Sequence, residues 1–209
     1  MRCIIIKKGR NFTVFNIIIS LSVAFLIGFA VIAFCRSDTT ETMAITSVGT
    51  ENSPVALTVN VYEYTDVEAY LDVFKKAKAT FFISEDFQEI CPEKVKLIIE
   101  KGHLIGILEK DEKVSKNELY DRLAIRIERM ARIMGKNTDL IRVDEEDCEE
   151  SVIKNIYSIG LLPVQWSEDD ADFSQGDIVL IKDIRTAEDA IKKSAADGLE
   201  AVTVDELIS

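Results

Sequence analysis

The sequence has one histidine, His103, and that scarcity bounds its chemistry from the outset. A zinc hydrolase draws two or three imidazoles to its metal, more than this chain can supply. His103 stands in EKGH, ahead of an apolar run, and reads as a turn or packing residue. The four cysteines, at positions 3, 35, 91 and 148, form no CxxC and no Cys/His cluster, which argues against a structural zinc site. Only Cys91 and Cys148 could pair outside a membrane, and spacing does not decide whether they do. No glycine-rich phosphate loop and no GxSxG turn is present. Basic residues are scarce beyond the start. Residues 1–36 hold five of the 25 and no acid, so residues 37–209 carry 20 basic against 37 acidic side chains, a formal −17. Such a domain does not hold nucleic acid through phosphate contacts.

From Asn11 to Cys35 it is charge that is missing. The run FTVFNIIISLSVAFLIGFAVIAF exceeds the roughly 20 residues that cross a bilayer and the roughly 7–15 of a signal-peptide core. Arg2, Lys7, Lys8 and Arg10 precede it, which keeps the N-terminus inside. The expected layout is a cytoplasmic segment over 1–11, a single transmembrane helix over 12–35, a Ser/Thr-rich stalk over 36–54 and an extracellular domain over 55–209. The protein is thereby placed in the cell membrane.

Within the domain, short apolar runs alternate with amphipathic segments. VALTVNV, ATFFIS, HLIGIL, DLIRV, LLPVQW, DIVLIKD and EAVTV read as strands. The segments between them read as helices, with a loop between ATFFIS and PEKVKLIIEKG. Ser115 is the expected cap of SKNELYDRLAIRIERMARIMG, and Thr186 that of TAEDAIKKSAADG. Strands this apolar are buried on both faces of a parallel sheet, as in a small α/β barrel or a doubly wound sheet. Ligands gather there at the carboxyl ends of strands. Those ends are acidic: Glu109, Asp111, Glu112, Asp144, Glu145, Glu168, Asp169 and Asp172 all follow strands, and a rim of carboxylates is expected.

VALTVNVYE, KATFFIS, KGHLIGIL, DLIRV, QWSEDDADF, GDIVLIKD and GLEAVTVDELI, in this order and spacing, resemble polysaccharide deacetylases of the NodB homology class, carbohydrate esterase family four. The likeness spans roughly residues 54–208 and is nearest to the sporulation-type members. It implies a distorted (β/α)7 barrel that removes N-acetyl groups from cell-wall glycans, using a divalent metal, a carboxylate base and a histidine acid. Carried over by position, the base falls on Asn60, the metal ligands on Val61, Leu108 and Glu112, and the acid on Lys182. Arg142, Asp169 and Asp172, which support the base in active members, remain. Arg142 is expected to pair with Asp169 or Asp172, and Trp166 to pack at the core or rim.

The resemblance therefore implies a pseudoenzyme whose zinc or other divalent metal site is lost. It would act in cell-wall or spore-envelope assembly as a binding or scaffold module, through a protein or glycan partner met by Asp144, Glu145 and Trp166. Two alternatives stand beside this. One is a residual hydrolase of the carbon–nitrogen N-acetyl bonds of cell-wall glycans, with Lys182 as acid. The other is a calcium-dependent adhesion or scaffold protein that uses the acidic rim.

Overall fold

The computed structural model describes residues 43–49, 54–110, 115–135, 137–144, 148–169 and 172–209. The expected membrane span lies outside them. Among the described residues no helix is long and apolar enough to cross a membrane.

The sheet begins with β1 (Val55–Val61), β2 (Thr80–Ile83), β3 (Leu104–Glu109) and β4 (Leu140–Val143). β5 (Leu162–Pro163), β6 (Glu168–Asp169), β7 (Ile178–Ile181) and β8 (Ala201–Val202) complete it. All ladders are parallel, in the order β5-β4-β3-β2-β1-β7-β6, with β8 also paired to β1. The expected strands all form, and β6 is added. The ends of the path, β5 and β6, do not pair, so the barrel stays open along one seam. Ile45 bridges Val164 and Ser47 bridges Asp177. Residues 43–49, which fall within the expected stalk, thus pair with the sheet. LLPVQW counts as a strand only at Leu162–Pro163: the Val164 amide still donates to the Ile141 carbonyl of β4, and the Gln165 amide beyond it turns to the Ile45 carbonyl.

The helices are α1 (Val67–Val73), continued by a 3-10 turn at Phe74–Lys76, α2 (Glu85–Ile90), α3 (Pro92–Glu100) and α4 (Lys116–Met134), then α5 (Glu150–Ser158), α6 (Ile184–Asp197) and α7 (Val204–Ile208). Ser115 caps α4 by accepting from the Glu118 amide. α6 starts two residues before its expected cap. Asp183 is the N-cap, and Thr186 closes a capping box from the third helical position. α2 forms where a loop was expected, since Ser84 accepts from the Phe87 amide and two acids come next in the first turn.

Strand alternation divides the core. Val55, Leu57, Val59, Val61, Phe81, Ile83 and Ile105 join one cluster with Phe74, Phe87, Ile98 and Ala187 of the helical layer. Ala56, Phe82, Leu108 and Leu140 face the other way, toward Val204 and Leu207 of α7. Gly106 serves this inner face. A Cβ there would lie 2.7 Å from two carbons of the Phe82 ring, and no side chain fits without moving that ring.

Candidate functional site

Because side chains alternate, Thr58 and Asn60 of β1 share the inner face with Leu108 of β3 and Arg142 of β4. Arg142 is fully buried and organises this surface. One of its terminal nitrogens donates to Thr58 Oγ1 at 2.9 Å and to Asn60 Oδ1 at 3.1 Å. Its Nε and its other terminal nitrogen donate to the carbonyls of Val164 and Gln165 at 3.3 and 3.5 Å. Thr58 passes its own proton to the Val179 carbonyl on β7. The guanidinium lies 4.1 Å from the Phe82 ring centroid and 5.3 Å from that of Trp166, within cation–π range of both. Burial pulls Arg142 down to about 9, while Tyr62 and Asp144 act in the opposite direction. It remains a cation at neutral pH.

The ion pair expected between Arg142 and Asp172 is not present. Asp172 is exposed, and the described partners of Arg142 are hydroxyl, amide and carbonyl oxygens. The side chain of Asp169 lies outside the described residues. Trp166 is half-buried and packs on Arg142.

Asp144 closes the network. It accepts from the Tyr62 hydroxyl at 2.6 Å and from Asn60 Nδ2 at 3.5 Å. Burial and the bond to Asp144 push the Tyr62 phenol well above its usual range, so it stays a donor. Asn60 is therefore used at both ends: its oxygen faces a cation and its nitrogen an anion.

Glu109 departs from the expected rim. Leu108 takes the inner face, so Glu109, one residue on, turns to the helical side and is 5% exposed. There it meets Arg126 at 2.6 Å and Arg122 at 2.7 Å, both from α4. Arg126 is 1% exposed and also donates to the Ile83 carbonyl at 2.9 Å. Burial pushes the Glu109 carboxyl up and both arginines oppose it; burial likewise pulls Arg126 down against Glu109. Spacing on α4 carried a signal for this. Leu119, Leu123, Arg126 and Met130 form its buried stripe, so Arg126 occupies a core position.

Val61 and Leu108, 0% and 3% exposed, belong to the hydrophobic clusters and have no donor atoms. Lys182 is exposed after β7. Asp111, Glu112 and Glu145 lie outside the described residues. Among the described residues no three histidine, cysteine or acidic side chains converge as metal ligands. Among the described residues, Val61 and Leu108 therefore offer a divalent metal no ligand atom. The cavity that the described residues form at the strand ends, between Tyr62, Leu108, Glu109, Arg126 and Asp144, measures about 120 Å³. Small-molecule sites occupy about 300–1,000 Å³.

The parallel α/β sheet defines the fold class, and solved structures share that fold. A family 4 carbohydrate esterase from Bacillus anthracis superposes with TM-score 0.70 at 21% identity, covering 78% of this chain and 86% of that one. A wild-type CE4-family pseudoenzyme from Bacillus anthracis gives 0.69 at 19%, covering 80% and 69%. The peptidoglycan deacetylase PdaC from Bacillus subtilis gives 0.63 at 22%, covering 77% and 92%. The sequence matches no family model and no curated protein. The chain has the fold of the family 4 carbohydrate esterases, with the barrel open between β5 and β6.

Proposed function

We propose that this protein is a membrane-anchored relative of the polysaccharide deacetylases that lacks deacetylase activity and holds no catalytic metal. It serves in cell-wall or spore-envelope assembly as a binding or scaffold module, through a protein or glycan partner. Asn60 is the observation that carries this reading. An amide cannot take a proton from water as a carboxylate base does. Both of its ends are engaged, by Arg142 and Asp144. Val61 and Leu108, as buried aliphatic side chains, support the same conclusion for the metal. The wall setting is supported by the fold neighbours, which include peptidoglycan deacetylases and a pseudoenzyme. Anchoring is supported by the uncharged run over 12–35 and the basic residues before it.

The test is acetate release from chitin oligomers and from purified peptidoglycan by the full-length protein, with zinc or cobalt added. No release is expected under either condition. Release that a chelator abolishes would overturn the reading.

A further inference from the structure

A second cavity, of about 550 Å³, opens at the other end of the sheet, where β2, β3 and β8 begin. Its wall comes from the 3-10 turn after α1, the turn Lys101–His103, the second half of α6 and the loop entering β8. Phe74, Ile191 and Leu199 make one side apolar. Four lysines line the rest, Lys75, Lys76, Lys78 and Lys101, against a single carboxylate, Glu200. In a region of formal charge −17, this is a local reversal of sign.

Lys75 pairs with Asp72 at 3.1 Å, and Lys78 pairs with Glu206. Among the described residues, Lys76 and Lys101 have no carboxylate within ion-pair distance. His103 completes the wall at 7% exposure. Its ring meets Phe74 and Phe81 edge-on, and its Nδ1 is buried without a hydrogen-bond partner. A buried polar atom left unpaired is costly unless something else satisfies it. Lysines near helix C-termini also answer the helix dipole. That accounts for Lys76 and Lys101, but not for the cavity or for the imidazole.

We propose that this cavity binds a small organic anion, a phosphate or carboxylate carried on an aryl or short alkyl body. The anionic group meets Lys76 and Lys101, and the body lies against Phe74, Leu199 and the His103 ring. All these residues lie at the ends of the strands remote from Asn60 and Arg142. The site is therefore independent of the degenerate one and does not rest on the scaffold reading.

His103 is the only histidine, so the full chain labelled with carbon-13 histidine in non-ionic micelles gives one imidazole signal. Phenyl phosphate, benzoate and inorganic phosphate are titrated separately at constant ionic strength. The expected result is a saturable shift of that signal with at least one aryl anion, and the one that binds identifies the head group. Lys76→Gln combined with Lys101→Gln, both surface changes, weakens binding about tenfold or more. Ala195→Trp, at an exposed position on the cavity wall, abolishes it. No shift with either aryl anion, or unchanged affinity in the double lysine variant, overturns the site. Equal affinity for inorganic phosphate and phenyl phosphate overturns its apolar half.

Discussion

Replacing Asn60 by aspartate puts a carboxylate back where the resemblance sets the catalytic base, and the network around it governs the outcome. One oxygen of the new group would sit about where Asn60 Oδ1 now lies, 3.1 Å from Arg142 Nη1. The other would replace Nδ2, 3.5 Å from Asp144 Oδ1. At an effective dielectric of about 20, unit charges at such separations attract or repel by about 5 kcal/mol. The attraction to Arg142 and the repulsion from Asp144 therefore nearly cancel. What remains is the hydrogen bond that Asn60 donates to a charged acceptor, about 1.5–3 kcal/mol. Partial desolvation of the new carboxylate adds to that loss. Asn60→Asp should thus be destabilised by about 2–4 kcal/mol at pH 7.

The same geometry sets the sign of the pH dependence. Two neighbouring carboxylates share a proton more readily in the folded state than apart in the unfolded chain. The deficit relative to wild type should therefore narrow as the pH falls from about 7 toward 5. Urea midpoints of both proteins across that range measure it. Acetate release should stay absent even with zinc, since Val61 and Leu108 still offer no ligand atoms. A variant more stable than wild type by a pH-independent margin would refute the opposition between Arg142 and Asp144. Zinc-dependent turnover would refute the proposal that the protein holds no catalytic metal.

Arg126→Met removes one partner of a buried ion pair and leaves Glu109 with Arg122 alone; a loss of about 3–5 kcal/mol is expected in urea unfolding. Arg122→Met, at a more exposed position, should cost clearly less, and equal losses would contradict the geometry. His103 gives a distinct pH signature. Burial holds its folded-state pKa below the ordinary value, so the unfolded chain binds the extra proton first. Its contribution is complete above an unfolded pKa of about 6.5 and is lost as the pH falls through that value, by up to about 1.4 kcal/mol per unit. His103→Gln should flatten stability between about pH 7.5 and 5.5, and unchanged slopes would show that the ring is not held neutral.

Much of the fold was legible because its strands are continuous apolar runs. Each of TFFI, LIRV and IVLI is buried along its whole length, as a parallel sheet covered on both faces demands. Short-range competition was harder to read. Asp183 and Thr186 are both good caps, and the helix took the earlier one because both then join a single capping box. α2, a helix of six residues, has too few positions to show a period, and only Ser84 and the acids after it signalled a start. Glu109 was misplaced for a different reason. Position after a strand suggested a rim, whereas parity along that strand decides which side a residue faces, and Leu108 had already taken the inner side.

Parity also explains why the loss of a catalytic site that we propose is compatible with a stable fold. Val61 faces the helical layer and Leu108 the inner cluster, so two of the three positions that the resemblance assigns to metal ligands are parts of two separate cores. Burying such side chains is favourable by about 1.5–3 kcal/mol each. A carboxylate or an unpaired imidazole at the same depth would need a metal or a counter-charge to be tolerated. Asn60 completes the exchange: a neutral group that donates to Asp144 and accepts from Arg142 satisfies both neighbours without adding charge. Reversing any one of these substitutions therefore opposes the packing of the others. On the proposed reading, a metal site would require Val61 and Leu108 to change together, and a base would require Asn60 to change as well.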